Sequence, residues 1–503
     1  MKKINIFSLL LFFASSVLIY AQEYNTVPLD DPAYNLIELG VLRGAILPPP
    51  SAKPWSLQTV KEKLFEMQDN FKQALSEKEI EAVTLAIESL QRKEGWDTNK
   101  GRYRKESDKT AWEIGFGWES FFDLMAPLGH ITSLNAAKIY TGGDLGNYFS
   151  WNLCTRPGFN YIERERFGFV AEAELNASLW ESRLHLRIGR IRRDWGHGEN
   201  GASLFLNSYA RPFAALEGII SPLSWLDISI ITGALEYFPK DSIWPDELFF
   251  DNMLNALRLE INPVKYIYFD LGAAVIPFKE IKMAFFADIE LRLPRIFKLW
   301  GSFFIDSLNI SMENPFSMNI NSWAFQTGVK ASIRWLPFAS FSLRYTKIEP
   351  YCYSYFTNAG ESLGYYMPPN SDELLIGLET GILPNLKTYI QYQMIRHGVD
   401  FGYGAVGGSS VNDKLTNFWS EKHFLKDGVY QWDNVFKIGL SFKPILKSIS
   451  LSFFTEIGFA VTRFSINGTA GPGNEAEYEF FSDNVYPAGS KFIFTFGIKL
   501  FQN

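Results

Sequence analysis

The chain has 503 residues and a formal net charge of −7, and it combines 16% aromatic residues with only 20% charged residues. Its mean hydropathy is −0.06, and no stretch of 18 apolar residues follows the N-terminal region, so no transmembrane helix is predicted. No extended basic face is present, which argues against a nucleic-acid partner. Many aromatic residues beside many polar ones are typical of strands that face lipid on one side and water on the other.

The first 21 residues have the features of a secretory signal peptide. Lys2 and Lys3 form a positive n-region, an apolar stretch runs from Ile6 to Leu18, and Ala21 provides a cleavage site. The alternative is an uncleaved membrane anchor, but the apolar core is shorter than the roughly 20 residues that a spanning helix needs. We therefore predict export from the cytoplasm and cleavage after residue 21.

Residues 22–108 are predicted to form a small helical bundle. Pro32 begins a helix that ends before a run of three prolines, and Ser56 is the N-cap of a second helix. Ser76 and Glu79 have the Ser-x-x-Glu spacing of a capping box at the start of a third helix. Apolar residues recur at spacings of three and four along these helices, which indicates that their apolar faces pack together.

Residues 109–503 alternate with a period of two. Phe492, Phe494 and Phe496 share one face of the last strand, which we expect to contact lipid, and charged residues alternate with apolar ones from Met283 to Leu293. A soluble β-sandwich also alternates, but the phenylalanine content and the signal peptide favour a barrel. At roughly 22 residues for each strand and turn, the region accommodates about 16 to 18 strands. The predicted fold class is an all-β transmembrane antiparallel β-barrel of about 18 strands, preceded by the α-helical bundle.

Long polar insertions interrupt the predicted strands at residues 349–373, 397–433 and 467–490. Such insertions are typical of extracellular loops of outer-membrane barrels. Aromatic rings in them either stack on sugar faces or belong to the interfacial girdle of the barrel, and the girdle is the favoured interpretation. The candidate rings are Tyr351, Tyr353, Trp419 and Trp432.

No cofactor, metal site or catalytic centre is predicted. The five histidines are scattered, no Cys/His cluster has metal-ligand spacing, and no Gly-x-Ser-x-Gly motif occurs. Cys154 and Cys352 are far apart in the sequence. The exported location permits a disulfide between them, but the sequence leaves their pairing open because it does not give the distance between their Cβ atoms.

The segment from Gly189 to Phe213 departs from the alternation. Glycines follow Trp195 at positions 196 and 198, so the chain is predicted to turn inward and pack against the barrel wall. We expect Arg190 and Arg211, near the two ends of the segment, to clamp carboxylates bidentately in buried pairs. The expected acidic partners of the arginines in this segment are Glu172, Glu174, Asp194 and Glu199.

This segment resembles the capsule assembly protein Wzi family. The family pattern is a Gly-Arg strand end, then Trp-Gly-Pro-Gly, then Ser-Leu-Ile-Leu-Ser-Asn-Asn-Ala-Arg-Pro. The matching residues are Gly189, Arg190, Trp195, Gly196, Gly198, Ser203, Leu204, Leu206, Ala210, Arg211 and Pro212. The departures are His197, Phe205 and the run Asn207-Ser208-Tyr209. Residues 28–46 also resemble the first helix of that family.

The resemblance implies an outer-membrane location with the helical segment, residues 22–108, in the periplasm. It implies a lectin-like barrel that binds surface or capsular polysaccharide and helps attach or assemble it at the cell surface, with no catalysis. The expected partners are this polysaccharide, outer-membrane lipid and the outer-membrane assembly machinery. A porin-like channel for small solutes or sugars remains the alternative. Candidate polysaccharide-binding or loop-framework residues are Arg190, Arg193, Trp195, Gly196, Gly198, Glu199, Ser203, Asn207, Arg211 and Pro212.

Overall fold

The computed structural model describes most of the chain after the predicted signal peptide. The described residues are 25–70, 74–98, 100–107, 110–126, 130–146, 149–161, 166–180, 183–196, 198–199, 201–237, 249–264, 266–277, 282–306, 322–358, 360–383, 386–398, 424–425, 430–443, 450–466, 469–471 and 489–500. The signal-peptide prediction therefore lies outside them. None of the helices in the described part is long and apolar enough to cross a membrane.

Among the described residues, three helices precede the barrel strands, and each begins at the residue that the sequence predicts. Helix α1 (Pro32–Arg43) has proline in its first turn, and the left-handed Gly44 (φ 73°) ends it. The Ser56 hydroxyl caps helix α2 (Leu57–Asp69), and a complete capping box starts helix α3 (Glu77–Leu90). Their apolar faces form a common core.

Eighteen antiparallel strands of the described residues close into one barrel. They are β1 (Thr110–Ala126), β2 (His130–Leu145), β3 (Phe149–Tyr161), β4 (Arg166–Leu179), β5 (Leu184–Ile191), β6 (Phe213–Leu223), β7 (Leu226–Tyr237), β8 (Phe249–Val264), β9 (Ile267–Ile276), β10 (Lys282–Leu293), β11 (Phe297–Asp306), β12 (Ser322–Ser332), β13 (Ser340–Ile348), β14 (Ser371–Leu383), β15 (Leu386–Gly398), β16 (Tyr430–Phe442), β17 (Leu451–Ile466) and β18 (Gly489–Leu500). Strand β18 pairs with β1 and closes the barrel. The predicted fold class is confirmed.

The alternating side chains divide as the sequence predicts. On β18, Phe492 and Phe496 are exposed on the outer surface, while Lys491 is buried toward the interior. On β10, Ile289 is exposed and the neighbouring Glu290 is buried. Because successive residues of a strand point to opposite faces, the outer surface is apolar and the interior is charged.

The two ends of the barrel differ in the length of their connections. At one end, the short-turn end, strands are joined by turns such as residues 224–225 and 294–296; at the other, the long-loop end, connections include residues 192–212 and 349–370. Large apolar side chains are exposed at the short turns: Trp180, Trp225, Tyr266, Ile296 and Trp335. A ring of this kind is typical of a membrane interface.

Three segments fill much of the interior. They are the N-terminal segment (residues 25–57), the first inward loop (192–212) and the second inward loop (349–370). Ala52–Lys53 forms a short antiparallel pairing with Asp194–Trp195, and the backbone amide of Asn207 donates to the Leu363 carbonyl at 2.9 Å. The three segments therefore contact one another. Phe205 stacks on the barrel residue Phe286 with ring centroids 4.2 Å apart.

The second inward loop corrects one prediction from the sequence. Residues 349–373 are expected to form an extracellular loop; residues 349–370 do join two strands at the long-loop end, but they fold into the barrel, and β14 already begins at Ser371. The many tyrosines of this segment favour a surface loop when only the sequence is considered, but in the structure tyrosine rings such as Tyr353 and Tyr365 pack in the interior. The predicted loops at 397–433 and 467–490 fall mostly outside the described residues.

Polar contacts tie the N-terminal segment and α3 to the barrel. Arg43 of α1 donates to the Ser332 hydroxyl at 2.7 Å and to Glu79 of α3 at 3.0 Å. The backbone amide and hydroxyl of Thr26 both donate to the Glu174 carboxylate, at 3.0 and 2.6 Å. The helical bundle therefore packs against the barrel as well as on itself.

Candidate functional site

Arg193 joins the two ends of the first inward loop. Its guanidinium donates to the carbonyls of Ile191 and Phe213, each at 3.0 Å, at the points where β5 ends and β6 begins. It also donates to the Glu217 carboxylate at 3.3 Å, and both side chains are fully buried. Glu217 was not among the expected partners, because the sequence did not show which residue of β6 faces the loop.

Trp195 shares the same carboxylate and anchors the loop. Its indole N–H donates to Glu217 at 3.2 Å, and its backbone amide donates to the Leu206 carbonyl at 2.9 Å. The Ser203 hydroxyl donates to the Trp195 carbonyl at 2.6 Å. A Cβ on Gly196 would lie 2.8 Å from the Cβ of Ser203, so only glycine permits this close approach. This position explains the Trp-Gly pair in structural terms.

Gly198, Glu199 and Asn207 also hold the loop in place. The Glu199 carboxylate lies 3.4 Å from the Lys330 ammonium and 3.6 Å from the Arg344 guanidinium. The buried side-chain amide of Asn207 donates to the backbone carbonyls of residues 201 and 203, at 2.7 and 2.9 Å. A Cβ on Gly198 would lie 3.1 Å from the indole nitrogen of Trp300.

Arg190 and Arg211 differ from what the sequence suggested. Arg190 pairs bidentately with Glu236, at 2.7 and 3.0 Å, instead of with the expected acidic residues. Arg211 was expected in a buried pair, and this prediction is wrong: its side chain is 48% exposed and pairs at 2.8 Å with Glu361, which is 47% exposed. Pro212 beside it is buried.

The expected acidic partners are mostly engaged elsewhere. Glu172 does pair with an arginine of the segment, Arg192, at 3.5 Å. Glu174 lies 3.8 Å from Arg187, and Glu199 pairs with residues of β12 and β13. The Asp194 carboxylate accepts from the backbone amide of residue 201 at 2.8 Å. These pairings depend on strand register, which was not available from the sequence.

The candidate loop aromatics are not grouped together. Tyr351 and Tyr353 are buried in the second inward loop, and the Tyr353 hydroxyl donates to the Leu204 carbonyl at 2.8 Å. The girdle interpretation is therefore wrong for these two rings, and neither offers a free face for a sugar. Trp432 is partly exposed on the outward face of β16, where Phe436 is exposed too. Trp419 lies outside the described residues.

Tyr209 is a site residue that the sequence analysis did not single out. Its side chain is 67% exposed on the first inward loop, and its ring lies 5.8 Å from that of Tyr366. Two residues further along the first inward loop, the exposed Arg211 pairs with Glu361 of the second inward loop. We call the exposed residues Tyr209, Arg211 and Glu361, together with the half-buried Tyr366, the exposed loop face. The only signal in the sequence was that Tyr209 stands where the Wzi pattern has asparagine.

Glu38 of α1 links the helices electrostatically to the barrel interior. Its carboxylate lies 3.3 Å from the Lys330 ammonium and 3.8 Å from that of Lys298. Burial alone would raise the pKa of Glu38, but the positive charges of Lys330, Lys298 and Lys53 lower it to about 2. The carboxylate is therefore charged at neutral pH and holds α1 against β11 and β12.

Among the residues that the structure describes, no group of three or more His, Cys, Asp or Glu side chains is arranged to hold a metal ion. Cys154 and Cys352 are not joined by a disulfide; Cys352 is buried and Cys154 is partly exposed. The Ser203 hydroxyl is engaged with a backbone carbonyl, as described above.

A closed barrel of 18 strands with an apolar exterior and a charged interior has the fold of an outer-membrane β-barrel. No protein-family model and no curated protein sequence matches this chain. Among solved structures it is similar to Wzi of Escherichia coli, described as an outer-membrane protein involved in group 1 capsule assembly and a carbohydrate-binding β-barrel. The two are 12% identical with a TM-score of 0.58, and the match covers 94% of this chain and 99% of Wzi.

Two further similarities are to barrels of Pseudomonas aeruginosa. The match to OprD has 10% identity and a TM-score of 0.46, and it covers 80% of this chain and 97% of OprD. The match to OccK3 has 10% identity and a TM-score of 0.47, and it covers 78% of this chain and 95% of OccK3. The likeness to Wzi extends over nearly the whole of both chains and shows the fold.

Proposed function

We propose that this protein is an outer-membrane barrel that binds surface or capsular polysaccharide and helps attach or assemble it at the cell surface. The observation that carries the proposal is the packing of the interior. The N-terminal segment and both inward loops occupy the space that an open diffusion pore leaves to water. The fold is shared with Wzi, whose description as carbohydrate-binding supports the same class of ligand.

The exposed loop face is the proposed contact for the polysaccharide. A tyrosine ring that is two-thirds exposed can stack on the apolar face of a sugar ring, while the nearby guanidinium and carboxylate of Arg211 and Glu361 bond to hydroxyl groups. The buried members of the motif, such as Arg193 and Trp195, hold this face in position. They therefore act as framework residues.

The test is a glycan-binding measurement on folded protein. Tyr209→Ala is expected to weaken polysaccharide binding by about tenfold, because a stacked ring contributes about 1 to 1.5 kcal/mol. Tyr266→Ala is the matched control, since Tyr266 is an exposed tyrosine at the short-turn end. Equal effects of the two substitutions, or no polysaccharide binding by the unaltered protein, would contradict the proposal.

A porin-like channel for small solutes or sugars is the second candidate function. It is favoured by one observation: charged side chains on part of the interior wall, including Lys499 of β18 and Glu172 of β4, remain partly exposed. Single-channel conductance in planar bilayers separates the two functions. We expect little current from the unaltered protein, whereas a large, stable conductance would favour the channel.

We also propose that residues 22–108 face the periplasm and that the outer surface contacts outer-membrane lipid after insertion by the assembly machinery. In bacterial outer-membrane barrels the short turns are periplasmic, and the helices pack at the short-turn end. Protease added to intact cells should spare this segment and cleave it only after permeabilisation. Cleavage in intact cells would place the helices outside.

A further inference from the structure

The interior wall is not covered evenly. On β5, β8 and β12, charged side chains that face the interior are buried beneath the N-terminal segment and the inward loops; Arg187, Arg258 and Lys330 are examples. On β18 and β1 to β4 several inward-facing charged side chains stay partly exposed, among them Lys499, Glu119, Lys138, Arg156 and Glu172. Lys499 keeps 26% of its side-chain surface accessible. We call the solvent-accessible surface that these side chains share beside the N-terminal segment the groove.

Three cations from three strands of this groove act on one carboxylate. Lys499 of β18 lies 3.4 Å from Asp30 of the N-terminal segment, which is 48% exposed. Burial alone would raise the pKa of Asp30, but the charges of Lys499, Lys138 and Arg156 lower it below its usual value. The Nε of Arg156 has no hydrogen-bond partner within the described part of the chain. That nitrogen is itself buried, so the groove presents the positive charge of the three side chains and not this donor.

A buried polar network lies next to the groove on β1 and β2. Tyr140, the inward-facing residue that follows Lys138 on β2, is buried, and its hydroxyl donates to Glu113 at 2.8 Å. Arg104 pairs with Asp144 at 3.0 Å and lies 3.8 Å from Glu113, and all of these side chains are buried. This buried network therefore lies between the groove and the short-turn end of β1 and β2.

We propose that this groove, lined by Lys138, Arg156 and Lys499, binds a carboxylate-bearing sugar unit. The inference rests on the proposed polysaccharide-binding function and names the class of sugar. The carboxylate of Asp30 already pairs with Lys499, and the carboxylate of a bound sugar would make the same kind of contact. A sugar carboxylate bonds to the guanidinium of Arg156 and the two ammonium groups, while neighbouring Glu119 and Glu172 accept from its hydroxyl groups.

Cys154 is a native reporter for this groove. It is partly exposed on β3, on the same face as Arg156 two residues away, whereas Cys352 is fully buried. In purified folded protein, an anionic methanethiosulfonate reagent is expected to modify Cys154 faster than a cationic one, relative to their rates with free cysteine. Cys154→Ser should abolish the reaction. A preference for the cationic reagent would overturn the assignment of positive potential.

Ligand specificity is tested on the same thiol. Trigalacturonate is expected to protect Cys154 from modification in the unaltered protein, and the neutral galactotriose is not. Lys138→Gln with Arg156→Gln should weaken the protection by about tenfold, since each removed charge contributes to anion attraction. Lys78→Gln, an exposed lysine of α3, is the matched control. Protection by both sugars alike, or by neither, overturns the inference.

The two proposals fail in different ways. If Tyr209→Ala weakens polysaccharide binding but trigalacturonate gives no protection of Cys154, the proposed function stands and the acidic-sugar groove is wrong. If trigalacturonate protects Cys154 although no polysaccharide binds the exposed loop face, the groove is right and the proposed function needs another site.

Discussion

Replacement of Arg193 by alanine is expected to destabilise the barrel strongly. The side chain makes an ion pair with Glu217 and hydrogen bonds to the carbonyls of Ile191, Phe213 and Gly189, all in the interior. Removing one partner of a buried ion pair lowers the free energy of unfolding by about 3–5 kcal/mol. Glu217 keeps a second guanidinium, that of Arg187, at 3.1 Å, so we expect a loss near 3 kcal/mol, at the lower end of the range.

Arg211→Ala is the matched control, because Arg211 belongs to the same loop and also forms an ion pair. Its pair with Glu361 is about half exposed, and exposed pairs contribute about 0–1 kcal/mol. The measurement is urea unfolding of the barrel in lipid vesicles. The dependence of the unfolding free energy on urea concentration should be the same for all variants, so that a change in midpoint reports a change in stability. A loss below 1 kcal/mol for Arg193→Ala, or equal losses for both variants, would refute the reasoning from burial.

Two further predictions concern the outer surface and the helix contact. Phe494→Arg places a charge on the lipid face of β18 and should lower the stability of the inserted barrel by about 2–4 kcal/mol. The control Phe494→Leu should assemble normally. Normal outer-membrane assembly of the arginine variant would show that this face does not contact lipid. The folded-state pKa of Glu38 is lowered from 4.5 to about 2, so its stabilisation of about 3 kcal/mol is fully present above pH 4.5 and is lost as the pH falls toward 2. Unfolding midpoints of the unaltered protein and Glu38→Gln should converge over that window, and a constant difference would contradict the assigned pKa.

The barrel wall could be predicted because its signal is local. Alternation with a period of two fixes which residues of β18 and β10 face outward, and each side chain is assigned from its immediate neighbours. The helix starts at Ser56 and Ser76 are local in the same sense, since a cap bonds to an amide three residues away. These predictions needed no knowledge of the rest of the fold.

The packing of the interior could not be predicted because its contacts join distant parts of the chain. Trp195 pairs with Ala52 of the N-terminal segment, and Tyr353 bonds to the carbonyl of Leu204. The exposure of Arg211 follows from where the second inward loop places Glu361. A motif of arginines and glycines predicts that a loop turns inward, but strand register and the second loop decide which carboxylate each arginine meets.

Burial divides the segment that resembles the Wzi family into two groups. Trp195, Gly196 and Ser203 match the family pattern and are buried, and the departures Phe205 and Asn207 are buried as well. The departures Ser208 and Tyr209 are half-exposed and exposed, and so is the matching Arg211. Exposed positions can change the ligand without changing the framework. Under the proposed function, this division predicts that Ser208 and Tyr209 affect which glycan is bound and have little effect on the stability of the loop.

The double substitution Ser208→Asn with Tyr209→Asn tests this division, because it restores the family residues at the two exposed positions. We expect the unfolding free energy to change by less than about 0.5 kcal/mol, as for most surface substitutions. The set of glycans bound on an array should change, because the loss of the Tyr209 ring removes the stacking surface and two amides add hydrogen-bonding groups. If the variant loses stability while its glycan profile stays the same, Tyr209 is a framework residue and the exposed loop face is not the contact for the polysaccharide.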